Sequence, residues 1–409
     1  MSARAIKDGA YWIGVNDRTK DLFEGLWPIR DVGISYNSYF IDDEQKAIID
    51  LTSSGKEQEF LSQLSDVGDI SEVDYLVVNH MEPDHSGGLK TIRNLAPDLT
   101  LLGSKKTVEM LESFFGITEN IRAVEDGETL QLGETELKFL STPFVHWPET
   151  IMSYDVGRRI LFSGDGFGTF GTLDGAVFDD EIQDLESYRT EGLRYFANVI
   201  ASFSRMVLKA LDRVGELEVD AVAPSHGPVW REDLEHILDL YERWSGYAEG
   251  PAEAGVTLIY GSMYGNTERM MNVVAEGIAE EGLEVEVFDA ARHHASYILS
   301  GIWERQGVLI GAPTYEGQLF PPVAEVLRTA ALKHMRGRTA GWFGSCGWGG
   351  GARKSTRELA EELDWEMVDD LEFTGQPTAE DLEEGRELGR RFAEAVSQAA
   401  RQRQTEDIQ

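Results

Sequence analysis

Four potential metal ligands crowd into six positions of the segment NHMEPDHSGG: His80, Glu82, Asp84 and His85. They come directly after the apolar run YLVV, which reads as a strand, so a sharp turn there lets several side chains converge. The Gly87–Gly88 pair offers the backbone freedom for such a turn. Three more candidates occupy equivalent places. His146 follows ELKFLSTPF, Asp165 follows RRILFSG and His226 follows DAVAPS, each just past a predicted strand, where a sheet-based fold gathers its functional loops. Seven oxygen and nitrogen donors on strand-end loops suit two metal ions with one carboxylate bridging them. A lone histidine is more often structural than ligating, and a lone aspartate is more often solvated. Clustering carries the metal reading: the chain has 8 histidines, and half of them are in this set. His236, His293, His294 and His334 have no such neighbours and read as surface or capping residues.

A second constellation suits a flat anionic ligand. GSMYGNT, with Ser262, Met263, Tyr264, Gly265, Asn266 and Thr267, lies between the strand-like VTLIY and an amphipathic helix. Such a loop turns backbone N–H groups and the positive end of the helix dipole toward a phosphate. No lysine follows the glycine, so it is not the loop of nucleotide triphosphatases. Two further loops follow strands. APTYEGQ carries Pro313, Thr314, Tyr315 and Gly317, and GSCGWGGGA carries Ser345, Cys346, Gly347, Trp348, Gly349 and Gly350. Glycines let backbone approach a planar ring closely, and Tyr315 and Trp348 can pack near it. Cys346 reads most simply as a small filler. No GxGxxG pattern supports a bound nicotinamide.

These loops need two kinds of scaffold. In the first part, strands such as VDYLVVN, TIMSYDV and DAVAPS mix with helical stretches, including one long run from Leu185 to Val214, which suggests an α/β sandwich with helices outside the sheets. SYNSYFI and KAIIDL flank the polar turn DDEQ as a hairpin. After a Gly/Pro/Ala-rich link near residue 250, strands and helices alternate regularly, which implies a doubly wound parallel sheet. Met270, Val274 and Ile278 mark the buried face of its first helix, and the final segment looks like a closing helix with a solvated charged face. The expected domains are therefore 1–250 and 251–409.

His-x-Glu-x-Asp-His followed by His146, Asp165 and His226, together with the three C-terminal loops, resembles the flavodiiron branch of the metallo-β-lactamase superfamily, across essentially the whole chain. The resemblance implies a metallo-β-lactamase-like αββα sandwich joined to a flavodoxin-like FMN domain. One iron would take His80, Glu82 and His146, the other Asp84, His85 and His226, and Asp165 would bridge. Some relatives leave the histidine at the position of His85 off the metal. Trp147 would wall the pocket, or serve as an ordinary core aromatic. Glu82 stands where hydrolytic relatives usually have histidine, and a carboxylate favours a harder ion than zinc. The implied activity is reduction of O2 to water, of NO to N2O, or of both. A reduced FMN and two ferrous ions together hold the four electrons that O2 requires. The resemblance also implies a head-to-tail homodimer, with FMN of one chain facing the irons of the other, and a separate electron donor: rubredoxin, a flavin reductase or a deazaflavin system.

Composition narrows the partners. A net charge of −36 disfavours nucleic acid and anionic membrane, and it reads as salt adaptation or as a docking face for a basic partner. No apolar run is long enough to span a bilayer, no signal-like segment opens the chain, and the single cysteine excludes an internal disulfide, which favours a cytoplasmic protein. With no CxxC pair, no rubredoxin of its own is expected. Two rivals stand beside the oxidoreductase: a binuclear zinc hydrolase fused to a flavodoxin module, and a flavodoxin-type carrier whose first domain only docks partners.

Overall fold

A computed structural model of the chain describes residues 2–406. It divides into two compact units, the first ending at Glu242 and the second beginning at Arg243, inside the helix Leu234–Gly246.

The first unit is an αββα sandwich. One sheet has seven strands in the order Arg4–Lys7, Ala10–Trp12, Tyr39–Ile41, Lys46–Ile49, Val73–Val77, Thr100–Gly103, Ile121–Ala123. The other has five: Thr129–Gln131, Glu136–Ser141, Ile151–Asp155, Ile160–Gly164, Ala221–Pro224. Their facing sides share one core. Trp12, Tyr39, Ile49, Val77 and Leu102 come from the first sheet and meet Leu137, Phe139, Ile160 and Phe162 from the second. Burying each such side chain contributes about 1.5–3 kcal/mol, so the sandwich is a rigid base for the loops at its rim. The DDEQ turn joins Tyr39–Ile41 to Lys46–Ile49 as an antiparallel pair. Ile34–Tyr36, however, leaves that hairpin and pairs with Val15–Asp17. Asp43 of the turn accepts the backbone N–H groups of Glu134 and Thr135, tying the two sheets together at one edge.

The long run expected as one helix is interrupted. Helix Leu185–Tyr195 passes into the π-turn Phe196–Ile200, a 3₁₀ turn Ala201–Phe203, and then helix Ser204–Val214. All five residues of the π-turn are buried, and the extra residue per turn re-aims the side chains on either side of it.

The second unit is a five-stranded parallel sheet in the order Val285–Asp289, Glu253–Tyr260, Arg305–Gly311, Thr339–Cys346, Glu366–Thr374. In sequence rank this is 2-1-3-4-5, the doubly wound order with its switch point beside the first strand. Met270, Val274 and Ile278 of helix Asn266–Glu280 are fully buried. The closing helix Ala379–Glu406 packs on that helix through glycines. A Cβ on Gly277 would stand 2.1 Å from the carbonyl oxygen of Arg386, and one on Gly389 would stand 2.2 Å from that of Val274. Its charged face is not simply solvated: Arg386 pairs with Glu276 and Glu280, and Arg390 with Glu280.

Candidate metal centre and flavin site

The C-terminal ends of strands from both sheets of the first unit meet at one rim, and there the seven donors converge. Ligand atoms of His80, Glu82, His146 and Asp165 lie within 4.8 Å of one another, and so do those of Asp84, His85 and His226. Asp165 spans the two groups. Its Oδ2 is 3.4 Å from His80 Nε2 and 3.1 Å from His146 Nε2, while its Oδ1 is 3.0 Å from His85 Nε2 and 3.5 Å from His226 Nε2. Glu82 Oε2 is 3.1 Å from His146 Nε2, and Asp84 Oδ2 is 3.3 Å from His226 Nε2.

The turns are made by other glycines than expected. Gly87 and Gly88 have ordinary helical backbone angles, and Gly87 is required because a Cβ there would press on Pro83 and Ser54. Gly164, directly before Asp165, and Gly227, directly after His226, are left-handed, as are Phe144 before His146 and Phe167 after Asp165.

Several residues that sequence reasoning missed fix the rings. Glu149 Oε1 accepts the Nδ1–H of His80 at 2.8 Å and the backbone N–H of Met81 at 2.8 Å. The carbonyl of Ser35 accepts the Nδ1–H of His226 at 2.7 Å. Each bond holds the tautomer whose Nε2 lone pair faces the cluster. Asn37 donates to the carbonyls of Pro224 and Gly227, steadying the His226 loop, and Asn79 links its own loop to Ser153 and Phe162 of the second sheet. Asp50 Oδ1 accepts the N–H of Asn79, and burial raises the pKa of its carboxyl to about 6. None of these stands out in sequence, because a buried acid or amide becomes recognisable only once its distant partner is known. His85 has no such anchor: its Nδ1 is unbonded, and its ring packs instead on His226 at 4.7 Å and His80 at 5.6 Å.

The electrostatics fit cations. Burial disfavours charged imidazoles, yet the facing carboxylates outweigh it: His85 and His146 are raised to about 9, and His80 well above its ordinary value. Burial likewise opposes charge on Glu82 and Asp165, but the surrounding imidazoles hold both low. Both oxygens of Asp84 and of Asp165, together with Nε2 of His85 and of His226, are buried without an aligned hydrogen bond. They crowd together at 3.0 to 3.5 Å with no aligned hydrogen bond between them, as donors do around a metal. Aromatic rings enclose them. Trp147 stands edge-on to His80 at 5.2 Å, and Phe23, Tyr36 and Tyr195 surround His226 at 5.6, 6.0 and 5.7 Å. The Tyr195 hydroxyl is buried with no hydrogen-bond partner.

In the second unit, the three predicted loops leave the C-terminal ends of three neighbouring strands. Ser262 Oγ accepts the N–H of Gly265, which is left-handed at the start of helix Asn266–Glu280. Thr267 Oγ1 and Ser345 Oγ stand 3.4 Å apart, bringing the first and third loops together. Pro313 is buried behind Thr314, whose hydroxyl accepts the N–H of Ala352, and Gly317 turns a short hairpin from Thr314–Tyr315 to Gln318–Leu319. Ser345 and Cys346 belong to the end of a strand rather than to the loop. Tyr264 and Trp348 are each 91 % exposed, beside Met263, Tyr315 and the open glycines 347, 349 and 350. A helix N-terminus for a phosphate, bare glycine backbone and unpaired aromatic faces together suit FMN.

Residues 34–227 match the ODP family beta lactamase, and residues 258–389 match flavodoxin. The nitric oxide reductase of Moorella thermoacetica is 32 % identical over 96 % of this chain and 98 % of its own length. The anaerobic nitric oxide reductase flavorubredoxin of Escherichia coli O1:K1 is 33 % identical over 95 % of this chain and 81 % of its own. Among solved structures, rubredoxin oxygen:oxidoreductase from Desulfovibrio gigas superposes with a TM-score of 0.92 at 27 % identity, covering 97 % of this chain and 99 % of the other. The flavodiiron protein of Giardia intestinalis gives 0.93 at 28 %, covering 98 % of each.

The chain belongs to the flavodiiron protein family. It is an oxidoreductase whose cofactors are FMN on the flavodoxin-like unit and a pair of non-haem irons on the lactamase-like unit. The zinc hydrolase is not favoured.

Proposed function

We propose that this protein reduces a diatomic gas, O2 to water or NO to N2O, at irons held by His80, Glu82 and His146 on one side and Asp84, His85 and His226 on the other. The observation that carries this reading is Asp165, whose two oxygens serve the two donor groups separately. The irons supply binding and polarisation of the gas, and FMN supplies electrons. The protein's own part is orientation and exclusion. Glu149 and Ser35 hold the His80 and His226 rings, Trp147 keeps bulk water from the His80 side, and Tyr195 packs its ring on His226. The three C-terminal loops, from Ser262–Thr267 through Pro313–Gly317 to Ser345–Gly350, would hold FMN.

A head-to-tail homodimer completes the proposal. Phe114 and Phe144 near the metal rim, and Met263, Tyr264 and Trp348 at the flavin loops, are exposed apolar side chains that a second copy would cover. An external donor, be it rubredoxin, a flavin reductase or a deazaflavin system, would reduce the flavin. We also read the charge of −36 as salt adaptation, and the absence of a helix able to cross a membrane among the described residues suits a cytoplasmic setting. The test is single-turnover mixing of the anaerobically photoreduced protein with each gas, with iron and flavin counted per chain. Two irons, one FMN and consumption of either gas are expected. Two zincs with no gas consumed would overturn the reading.

A further inference from the structure

The metal cluster is not equally closed on all sides. Glu82, Asp84 and His146 keep 9, 6 and 5 % exposure, while His80, Asp165 and His226 are fully buried. Behind His226 the wall is aromatic and two rings deep. Phe23 and Tyr195 stand against His226, and Phe170 stands against both, at 5.4 and 5.1 Å. Beyond Phe170 lies a cavity of about 490 Å³, floored by Phe170, Val32, Gly171 and Thr172. Around it stand Asp31, Asp174, Asp184 and Glu191 together with Arg18, Arg18 pairing with Asp174 and Glu191 with Arg194.

We propose that this cavity is the vestibule of a rear entry route for the gas, with Phe170 as its gate. The proposal rests on the gas-reducing function argued above. An edge-to-face cluster of rings offers no hydrogen bonds to break, so its motions can admit a diatomic gas while excluding a hydrated ion. The unpaired excess of acids around it among the described residues, Asp31 and Asp184, disfavours anions and leaves neutral O2 and NO unaffected. The Arg194 guanidinium, 4.5 Å over the Phe170 ring, keeps the gate seated between openings. Gas would then reach the cluster by a path separate from the partly exposed edge at Glu82, Asp84 and His146.

The test uses the iron- and FMN-loaded protein and two substitutions. Phe170→Trp should block the gap and lower kcat/KM for gas by roughly tenfold, while kcat at saturating gas and the iron content stay near those of the unsubstituted protein. Phe170→Ala should leave kcat/KM equal or higher. Independently, crystals of the unsubstituted protein under xenon should show the atom against Val32 and Phe170. Xenon confined to the Glu82–Asp84 side, or an unchanged kcat/KM in a well-folded Phe170→Trp protein, overturns the route. Should Phe170→Trp fail to fold, the xenon positions decide alone. An unsubstituted protein that consumes neither gas refutes the functional reading instead, and xenon still reports on the path.

Discussion

Glu149 shows how much one side chain outside the ligand set can govern. Its carboxylate fixes the His80 ring and the backbone at Met81 together, so Glu149→Ala frees the ring to rotate and should weaken iron retention by about 10–100-fold. Dialysis against a graded chelator, with iron measured per chain, checks this, and FMN content should not change. Glu82→Ala should lose iron and gas reduction yet keep FMN; normal gas reduction in that variant would refute its assignment as a ligand. The raised imidazoles have a signed consequence for protein stripped of metal. The folded-state pKa of about 9 for His85 and His146 lies above the ordinary 6.5. The stabilisation is therefore fully present below about 6.5 and lost as pH rises through about 9. Thermal melts of metal-free protein should fall across that window. Iron-loaded protein, whose imidazoles carry metal instead of protons, should not follow.

At the scale of elements, the two helices that meet through Gly277 and Gly389 leave no room for a side chain. Ala is the better helix former by about 1 kcal/mol, but in Gly277→Ala its methyl would drive into the Arg386 carbonyl and force the helices apart. A net loss of about 1–3 kcal/mol is expected in the melting of the flavodoxin-like unit, with iron content unchanged. Sequence made the candidate donors and flavin loops visible because their chemistry is local: small residues, hydroxyls and imidazoles sit at strand ends, and strands announce themselves by apolar runs. What stayed hidden depends on distant partners. Nothing near Glu149 says that it meets His80, nothing near Ser35 points to His226, and the buried π-turn at Phe196–Ile200 has the same apolar periodicity as an unbroken helix. The Gly87–Gly88 pair misled for a related reason, since glycine serves both for left-handed turns and for close approach, and only the folded chain separates the two.

Over the whole molecule, a net charge of −36 is self-repulsive, and at 0.1 M salt the screening length is only about 10 Å. Raising KCl from tens of millimolar to molar concentration should therefore raise the melting temperature; a flat or falling response would argue that the acids are individually compensated and that the charge serves docking. The seven proposed donors also come from positions 80 to 226 and from both sheets, so a metal pair bound there would cross-link stretches of chain that are far apart in sequence. Cross-links that close long loops restrict the unfolded chain most. Iron thus doubles as a staple applied after synthesis. A cell short of iron would accumulate copies whose lactamase-like half is cut readily by proteases while the flavin-binding half survives, so that metal supply would set how long the protein lasts as well as whether it works.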